Sequence, residues 1–267
     1  MLAKQNPHYG KIVKANNLDP IILNKKARGG VVVLCEHASN HVPDGYANLG
    51  LSDEELEMHI AWDIGAEQVT RKICEMMEVA GVLSQVSRLV VDGNREPDHR
   101  TLVPSESDKI IIPANRDLPP SAIAARKKAF YDPFHSACDE LIEAHIEAGV
   151  VPLVVGLHSF TPVMDGEARP WEIGFLWHKD PRLAQAMIGM IERETELKVG
   201  DNQPYSGNDL YYTMERHGAQ RGLPQTTIEI RQDLLQDDKI ILEWAALLAD
   251  VLDECMRRDD VASVRHY

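Results

Sequence analysis

The sequence lacks any apolar run long enough to cross a membrane, and residues 1–20 lack the apolar core of a signal peptide. Basic residues are also few, because 28 lysines and arginines stand against 42 aspartates and glutamates, giving a formal charge of -14. This balance argues against nucleic acid or an anionic membrane as a partner. We therefore expect a cytoplasmic protein in which any anionic substrate needs a local cationic pocket.

Cysteine is sparse, and its four copies form no C-x-x-C pair (Cys35, Cys74, Cys138 and Cys255). Their scatter argues against a disulfide framework and against a cysteine zinc site. Cys35 lies two residues before His37, which suggests a thiol nucleophile, but it closes an apolar run where burial would keep the thiol inert. The zincin motif H-E-x-x-H is absent as well.

What the sequence does contain is an alternation of strand-like and helix-like segments. Strands are predicted at residues 31–35, 150–158, 171–178 and 226–233, and residues 82–92 are predicted to form one or two strands. Helices are predicted at residues 51–81 with an interruption at Asp63, 121–148 with a kink or split at Pro133, 181–195 and 239–258. The alternation predicts a single α/β domain around a mostly parallel sheet. Residues 1–28 would be an N-terminal extension.

Polar and charged side chains gather where several of these predicted strands end. Glu36 and His37 follow the strand at residues 31–35, and His158 is the last residue of the strand at 150–158. The segment at 82–92 and the residues after it supply Arg88, Asp92, Asn94 and Arg95, and the last strand supplies Glu229 and Arg231. Open α/β sheets bind ligands outside the carboxyl ends of their strands. We therefore expect these groups to converge on one cleft.

The residue types suit a catalytic metal site. Two imidazoles and one carboxylate, with a fourth position open to water, form the usual catalytic zinc shell. His37 and His158 are the natural imidazole ligands, and Glu229 is the candidate general base. The candidates for the third ligand are Asp63, Glu36, Asn40 and His41.

Six short motifs in a fixed order resemble the N-formylglutamate amidohydrolase family. They are "EHASNHVP", "AWDIGA", "SRLVVDGNR", "GLHSFTP", "NQPYSG" and "TTIEIRQD". The resemblance covers most of the chain, roughly from Val31 to Asp233. The resemblance implies kinship in fold with zinc carboxypeptidases and aspartoacylases. It implies a mixed sheet flanked by helices, a single divalent metal, with zinc the expected ion, and a glutamate base.

The same resemblance implies roles for individual residues. "VVDGNR" is similar to the asparagine–arginine pair with which carboxypeptidase-like enzymes hold a substrate carboxylate, which would fall on Asn94 and Arg95, with Arg88 as a partner. Carboxypeptidases place a glutamate ligand three residues after the first histidine, and this chain has Asn40 there. The resemblance therefore favours Asp63 as the carboxylate ligand. Arg231, near the base, is a reserve cation for the substrate.

These observations predict a metal-dependent amidohydrolase that cleaves N-formyl-glutamate or a similar small anionic N-acyl amino acid. Zinc would be bound by His37, Asp63 and His158, and Glu229 would act as the base. Tyr205 and Ser206 of the "NQPYSG" segment would line the pocket, and His217, which follows this segment in the chain, is a further histidine of interest. One alternative is a carboxypeptidase-like or muramoyl-amide hydrolase acting on peptides. Another, of a different class, is a non-catalytic protein that binds a metal or an acidic ligand.

Overall fold

The structure, a computed structural model, describes residues 18–267. Residues 1–17 lie outside the described residues. Most of the expected N-terminal extension falls there, as does most of the stretch in which the sequence shows no signal-peptide pattern. The strands are β1 (Ile21–Leu23), β2 (Val31–Cys35), β3 (Ala80–Leu83), β4 (Glu106–Ser107), β5 (Ile110–Ile111), β6 (Leu153–Phe160), β7 (Val163–Met164), β8 (Glu167–Ala168), β9 (Ile173–Leu176), β10 (Val199–Asp201) and β11 (Gln225–Arg231). The α-helices are α1 (Asp53–Leu56), α2 (Ala66–Met77), α3 (Pro120–Arg126), α4 (Asp132–Glu147), α5 (Arg182–Glu194), α6 (Tyr212–His217) and α7 (Asp238–Met256).

Seven strands form one mixed sheet in the order β1-β3-β2-β6-β11-β9-β10. The four central strands β3, β2, β6 and β11 are parallel to one another. Strand β1 is antiparallel to β3 at one edge, and β9 is antiparallel to β11 towards the other. The expected α/β fold with a mostly parallel mixed sheet flanked by helices is confirmed.

Helices cover both faces of this sheet. On one face, α2, α5 and α7 pack against alternate residues of β2, β6 and β11 in the largest core cluster. On the other face, α4 and α6 pack against the intervening residues, including Val32, Leu34 and Val154. Because successive side chains of a strand point to opposite faces, each central strand is buried on both sides.

A third apolar cluster packs among the segments that follow β2 and β3. It includes Leu49, Leu56 and Ile60 from the first segment, and Leu89 and Val90 from the second. Two short hairpins, β4–β5 and β7–β8, extend from the same end, and an ion pair between Lys109 and Asp165 joins their turns. The carboxyl ends of the central strands are thus surrounded by chain that can line a site.

Three sequence predictions need correction. Residues 86–92 form turns instead of a strand, because Ser87 Oγ and the Arg88 amide both donate to the Ala61 carbonyl at 2.7 and 3.2 Å. The interruption predicted at Asp63 is present, but it is a whole loop between Leu56 and Ala66, and the second helix ends at Met77 before β3 begins at Ala80. Strand β6 continues past His158 to Phe160, so this histidine lies within the strand.

The region around Pro133 divides as expected, although the break is a π-helical turn at Lys127–Tyr131 just before the proline. Pro133 itself occupies the first turn of α4, where its missing N–H is tolerated. All four cysteines are buried and free. Among the described residues, no helix combines the length and the apolar character needed to cross a membrane.

Candidate metal centre

His37, Asp63 and His158 meet in one buried cluster at the carboxyl ends of β2 and β6. Asp63 Oδ2 lies 2.7 Å from His158 Nδ1 and 3.4 Å from His37 Nδ1. The two imidazole rings stand nearly perpendicular, with their centroids 5.0 Å apart. Each residue offers one ligand atom, and these three atoms lie within 4.8 Å of one another. The group could bind a metal ion.

Local backbone contacts fix the loop that carries Asp63. The Asp63 amide donates to the His37 carbonyl at 3.0 Å, and Ser159 Oγ, next to His158, donates to the Ile64 carbonyl at 2.8 Å. Gly65 then turns the chain into α2 with a φ of 83°, in the left-handed region. A Cβ atom at this glycine would lie 2.6 Å from Leu235 Cβ, so the turn also depends on the missing side chain.

The far nitrogen of each imidazole faces another carboxylate. His37 Nε2 lies 2.8 Å from Asp92 Oδ1, and His158 Nε2 lies 3.3 Å from Glu36 Oε1. A carboxylate behind a metal-binding histidine fixes the tautomer and the ring orientation, and it raises the basicity of the ligand nitrogen. Both Nδ1 atoms are therefore directed at the Asp63 side, which fits a shared divalent cation.

Arg88 balances the negative charge of the cluster. Its guanidinium donates to Asp92 Oδ2 at 3.0 Å, and it lies 3.5 Å from Asp63 Oδ1. Burial alone would raise the pKa of Asp92, but Arg88 and His37 outweigh it and hold this pKa well below its usual range. About a quarter of the Arg88 side chain is exposed, which leaves it accessible from the cleft.

Glu229 lies beside the cluster on the neighbouring strand. Its Cα is paired with that of His158 in the parallel β6–β11 register. Ile228 and Ile230 pack in the core on the opposite face, so Glu229 shares a face with His158. Burial raises the pKa of Glu229 to about 7, with His158 opposing this rise and Asp63 adding to it. Its Oε2 is buried without a hydrogen-bond partner among the described residues.

Asn94 and Arg95 lie close to the cluster but make several internal contacts. The backbone N–H of Asn94 donates to Asp92 Oδ1 at 2.9 Å, and the side-chain Oδ1 of Asn94 accepts a bond from the backbone N–H of Thr213 at 3.0 Å. Arg95 donates to Thr101 Oγ1 at 3.1 Å and to the Asn94 carbonyl at 2.9 Å. The structure thus ties α6 to the turn that holds Asp92.

The other candidates lie in different surroundings. Asn40 donates to the Leu56 carbonyl at 3.1 Å and to Glu57 at 3.0 Å, while His41 is exposed. Arg231 donates to Asp233 at 2.8 Å and contacts backbone carbonyls. His217 is buried beside His135, 2.7 Å away.

Two more predicted candidates complete the picture. Tyr205 is partly buried and lies against Arg169. Ser206 Oγ accepts a bond from the backbone N–H of Asn208 at 3.2 Å.

Burial raises the pKa of Cys35 well above its usual value, which agrees with an inert thiol.

The sequence interpretation missed Arg169. This residue lies in the loop after β8, and no motif marks it. It donates a hydrogen bond to Tyr205, 36 positions further along the chain. The sequence offers Glu36 as an alternative metal ligand, whereas its carboxylate faces the outer nitrogen of His158. A strand pattern alone could not tell these two sides of an imidazole apart.

Fold and site together define an α/β protein with a buried cluster that could bind a metal ion at the carboxyl ends of its central strands. The family model of N-formylglutamate amidohydrolase matches residues 29–236. The chain belongs to this family, and it is a hydrolase that acts on amide bonds. The match does not favour the peptide-hydrolase or binding-protein alternatives.

Two solved structures are similar to the chain. The crystal structure of a gene product from Agrobacterium tumefaciens is 38% identical, with a TM-score of 0.86, and the match covers 88% of this chain and 94% of that one. The N-formylglutamate amidohydrolase from Ralstonia eutropha JMP134 is 15% identical, with a TM-score of 0.71, covering 90% and 99%. The second likeness supports the fold alone. None of the curated proteins compared with the chain matches it.

Proposed function

We propose that this protein hydrolyses N-formyl-glutamate, or a similar N-acyl acidic amino acid, with the help of one divalent metal ion, zinc being the expected one. The observation that carries the proposal is the buried His37–Asp63–His158 group with Glu229 beside it. Two imidazoles and one carboxylate are the donor set of catalytic zinc sites. The Asp92 carboxylate adds support, because its contact with His37 Nε2 leaves His37 Nδ1 directed at Asp63, and the Glu36 carboxylate lies 3.3 Å behind His158 Nε2.

His37, Asp63 and His158 would hold the ion. Bound there, it would supply a Lewis acid for the amide carbonyl and would lower the pKa of a water molecule. Glu229 takes the proton of the attacking water and then returns it to the leaving amine, so the amino acid departs with a neutral amino group. Burial of the site excludes bulk water and strengthens these electrostatic interactions.

Arg88 and the Asn94–Arg95 pair are proposed to bind a carboxylate of the substrate. Arg88 is the best placed of these, since it contacts both Asp63 and Asp92 and remains partly exposed. A planar guanidinium suits a carboxylate better than an ammonium group does. In a chain of charge -14, such local cations must overcome the repulsion that an anionic substrate meets at long range. A role for Arg231 in the same task is also part of the proposal.

We also propose a cytoplasmic setting and a small-molecule substrate, with neither nucleic acid nor membrane as a partner. Support comes from the acidic composition and from four buried cysteines that all remain free thiols, which is typical of reducing compartments.

The direct test combines metal analysis with a substrate panel. Protein purified without chelators is expected to carry about one zinc-like ion per chain and to release formate from N-formyl-glutamate. Removal of the ion should abolish this activity, and zinc, cobalt or manganese should restore it. Short peptides and muramoyl amides serve as competing substrates. Full activity after exhaustive chelation would overturn the metal-dependent mechanism, and preferential cleavage of peptides would overturn the substrate assignment.

A further inference from the structure

Arg169 is a partly buried cation that the proposed mechanism leaves unused. Its guanidinium lies over the Tyr205 ring, with Cζ 4.7 Å from the ring centroid, and its Nη1 donates to the Tyr205 hydroxyl at 2.9 Å. A longer contact of 3.4 Å reaches the Thr161 carbonyl. Within residues 18–267, no carboxylate forms an ion pair with Arg169; the nearby Asp165 is paired with Lys109. The positive charge is therefore available to an anionic ligand.

Arg169 packs against the end of β6, the strand that carries His158. Its Cζ is 5.9 Å from the ring of Phe160, which follows His158 by two residues on β6. Burial raises the pKa of Tyr205, with the carboxylate of Glu229 raising it further and the guanidiniums of Arg169 and Arg88 lowering it. The Tyr205 hydroxyl, which accepts a bond from Arg169, is thus also influenced by the charge of the proposed base.

Arg231 holds the backbone segment from which Arg169 extends. Its Nη1 lies 3.3 Å from the carbonyl oxygens of both Arg169 and Trp171, and its Nε donates to Asp233 at 2.8 Å. At the other side, the Arg169 amide donates to the Pro162 carbonyl at 2.8 Å. These contacts fix the segment before any ligand binds, which lowers the entropic cost of binding.

We propose that Arg169 and Tyr205 form a subsite for the side-chain carboxylate of an acidic acyl-amino-acid substrate, and that Arg231 positions Arg169. The inference rests on the proposed function and names the residues that would select an acidic side chain. Tyr205 accepts a hydrogen bond from Arg169, so its own O–H proton can be donated to one carboxylate oxygen. The remaining N–H groups of Arg169 can serve the other oxygen, in a charge-assisted pair. Arg88 and the Asn94–Arg95 pair would then hold the α-carboxylate.

The experiment compares Arg169→Met and Arg169→Lys with the unmodified, metal-loaded protein on N-formyl-glutamate and on its uncharged analogue N-formyl-glutamine. Arg193→Met is the control, since this exposed arginine on α5 pairs with Glu194. We expect Arg169→Met to lower kcat/KM for N-formyl-glutamate by about 10- to 100-fold, mainly through KM, and to change that for N-formyl-glutamine less than about threefold. Arg169→Lys should retain part of the preference. Arg231→Met should weaken it in the same selective way.

Equal losses on both substrates, or no loss on either, would overturn the subsite. The proposed function is judged separately, by whether the unmodified protein releases formate from N-formyl-glutamate at all. If it does not, calorimetric binding of N-formyl-glutamate and N-formyl-glutamine to metal-free protein still decides the inference. A charge preference that disappears in Arg169→Met would support it, and an unchanged preference would contradict it.

Discussion

Asp92 illustrates how much of the site depends on residues that touch no substrate. Its Oδ1 faces His37 Nε2 and also accepts the amide N–H of Asn94, while its Oδ2 accepts a bond from Arg88. One carboxylate therefore fixes an imidazole, a turn and a guanidinium together. Glu36 lies on the same outer side, 3.3 Å from His158 Nε2.

We expect Asp92→Asn to weaken zinc binding by about 10- to 100-fold, because an amide fixes the His37 tautomer and raises its basicity less than a carboxylate does. Competition with a chromophoric chelator measures the affinity. Asp98→Asn, at an exposed position, is the matched control. An unchanged zinc affinity would show that Asp92 has only a structural role, which thermal unfolding of the metal-free protein would then reveal.

Glu229→Gln separates proton transfer from metal binding. The amide keeps the size of the side chain but cannot accept a proton, so kcat should fall by about 100- to 10,000-fold. Metal content should stay unchanged, since the ligand group consists of His37, Asp63 and His158. Glu192→Gln, exposed on α5, should leave both quantities as they are. Loss of the metal together with activity would make Glu229 a ligand instead of a base.

At the scale of elements, the start of α2 decides where Asp63 lies. Gly65 and Gly149 both have a positive φ, of 83° and 77°. The two positions differ in the room left for a side chain. A Cβ atom at Gly65 would overlap Leu235, whereas one at Gly149 would have no described atom within 4 Å. Gly149→Ala should therefore cost only the backbone term of about 1–2 kcal/mol in the free energy of unfolding. Gly65→Ala should cost clearly more, as measured by denaturant unfolding, and equal losses would contradict the overlap with Leu235.

At the level of single elements, the sequence predicts those features that depend on a local pattern of side chains. The central strands were recognisable as short apolar runs, and the residues that follow or interrupt them include His37, His158 and Glu229. The turn at residues 86–92 has the apolar pattern of a strand in its valines and leucine, and only its contacts with Ala61 and Leu102 explain why it folds back. The position of Arg169 depends on such distant contacts as well, which no local pattern contains.

For the whole molecule, a second group of buried histidines should contribute to the dependence of stability on pH. His135 Nδ1 lies 2.7 Å from His217 Nε2, and His217 Nδ1 lies 3.0 Å from Asp139 Oδ1. Burial, together with the charges of His217 and Arg216, lowers the pKa of His135 to about 3. As the pH falls, His135 therefore binds a proton in the unfolded chain, where its pKa is about 6.5, before it does so in the folded protein.

The neutral His135 contributes stability that is complete above about pH 6.5 and is lost as the pH falls towards 3, at about 1.4 kcal/mol for each pH unit within this window. We expect His135→Leu to show a shallower decline in the free energy of unfolding than the unmodified protein between pH 6 and pH 4. His266→Gln, in the exposed C-terminal segment, should follow the unmodified curve. Parallel curves for His135→Leu would contradict a buried, neutral histidine.

The parallel register of β6 and β11 has a consequence for how activity returns after denaturation. His158 and Glu229 are paired neighbours in space although they are 71 positions apart in the chain, and His37 lies another 121 positions before His158. Contacts of such high sequence separation form slowly, because the entropy of loop closure must be lost first. An early intermediate that contains only local helices therefore lacks the assembled group of His37, His158 and Glu229. Recovery of turnover during refolding should therefore lag behind helical circular dichroism and coincide with completion of the central strands.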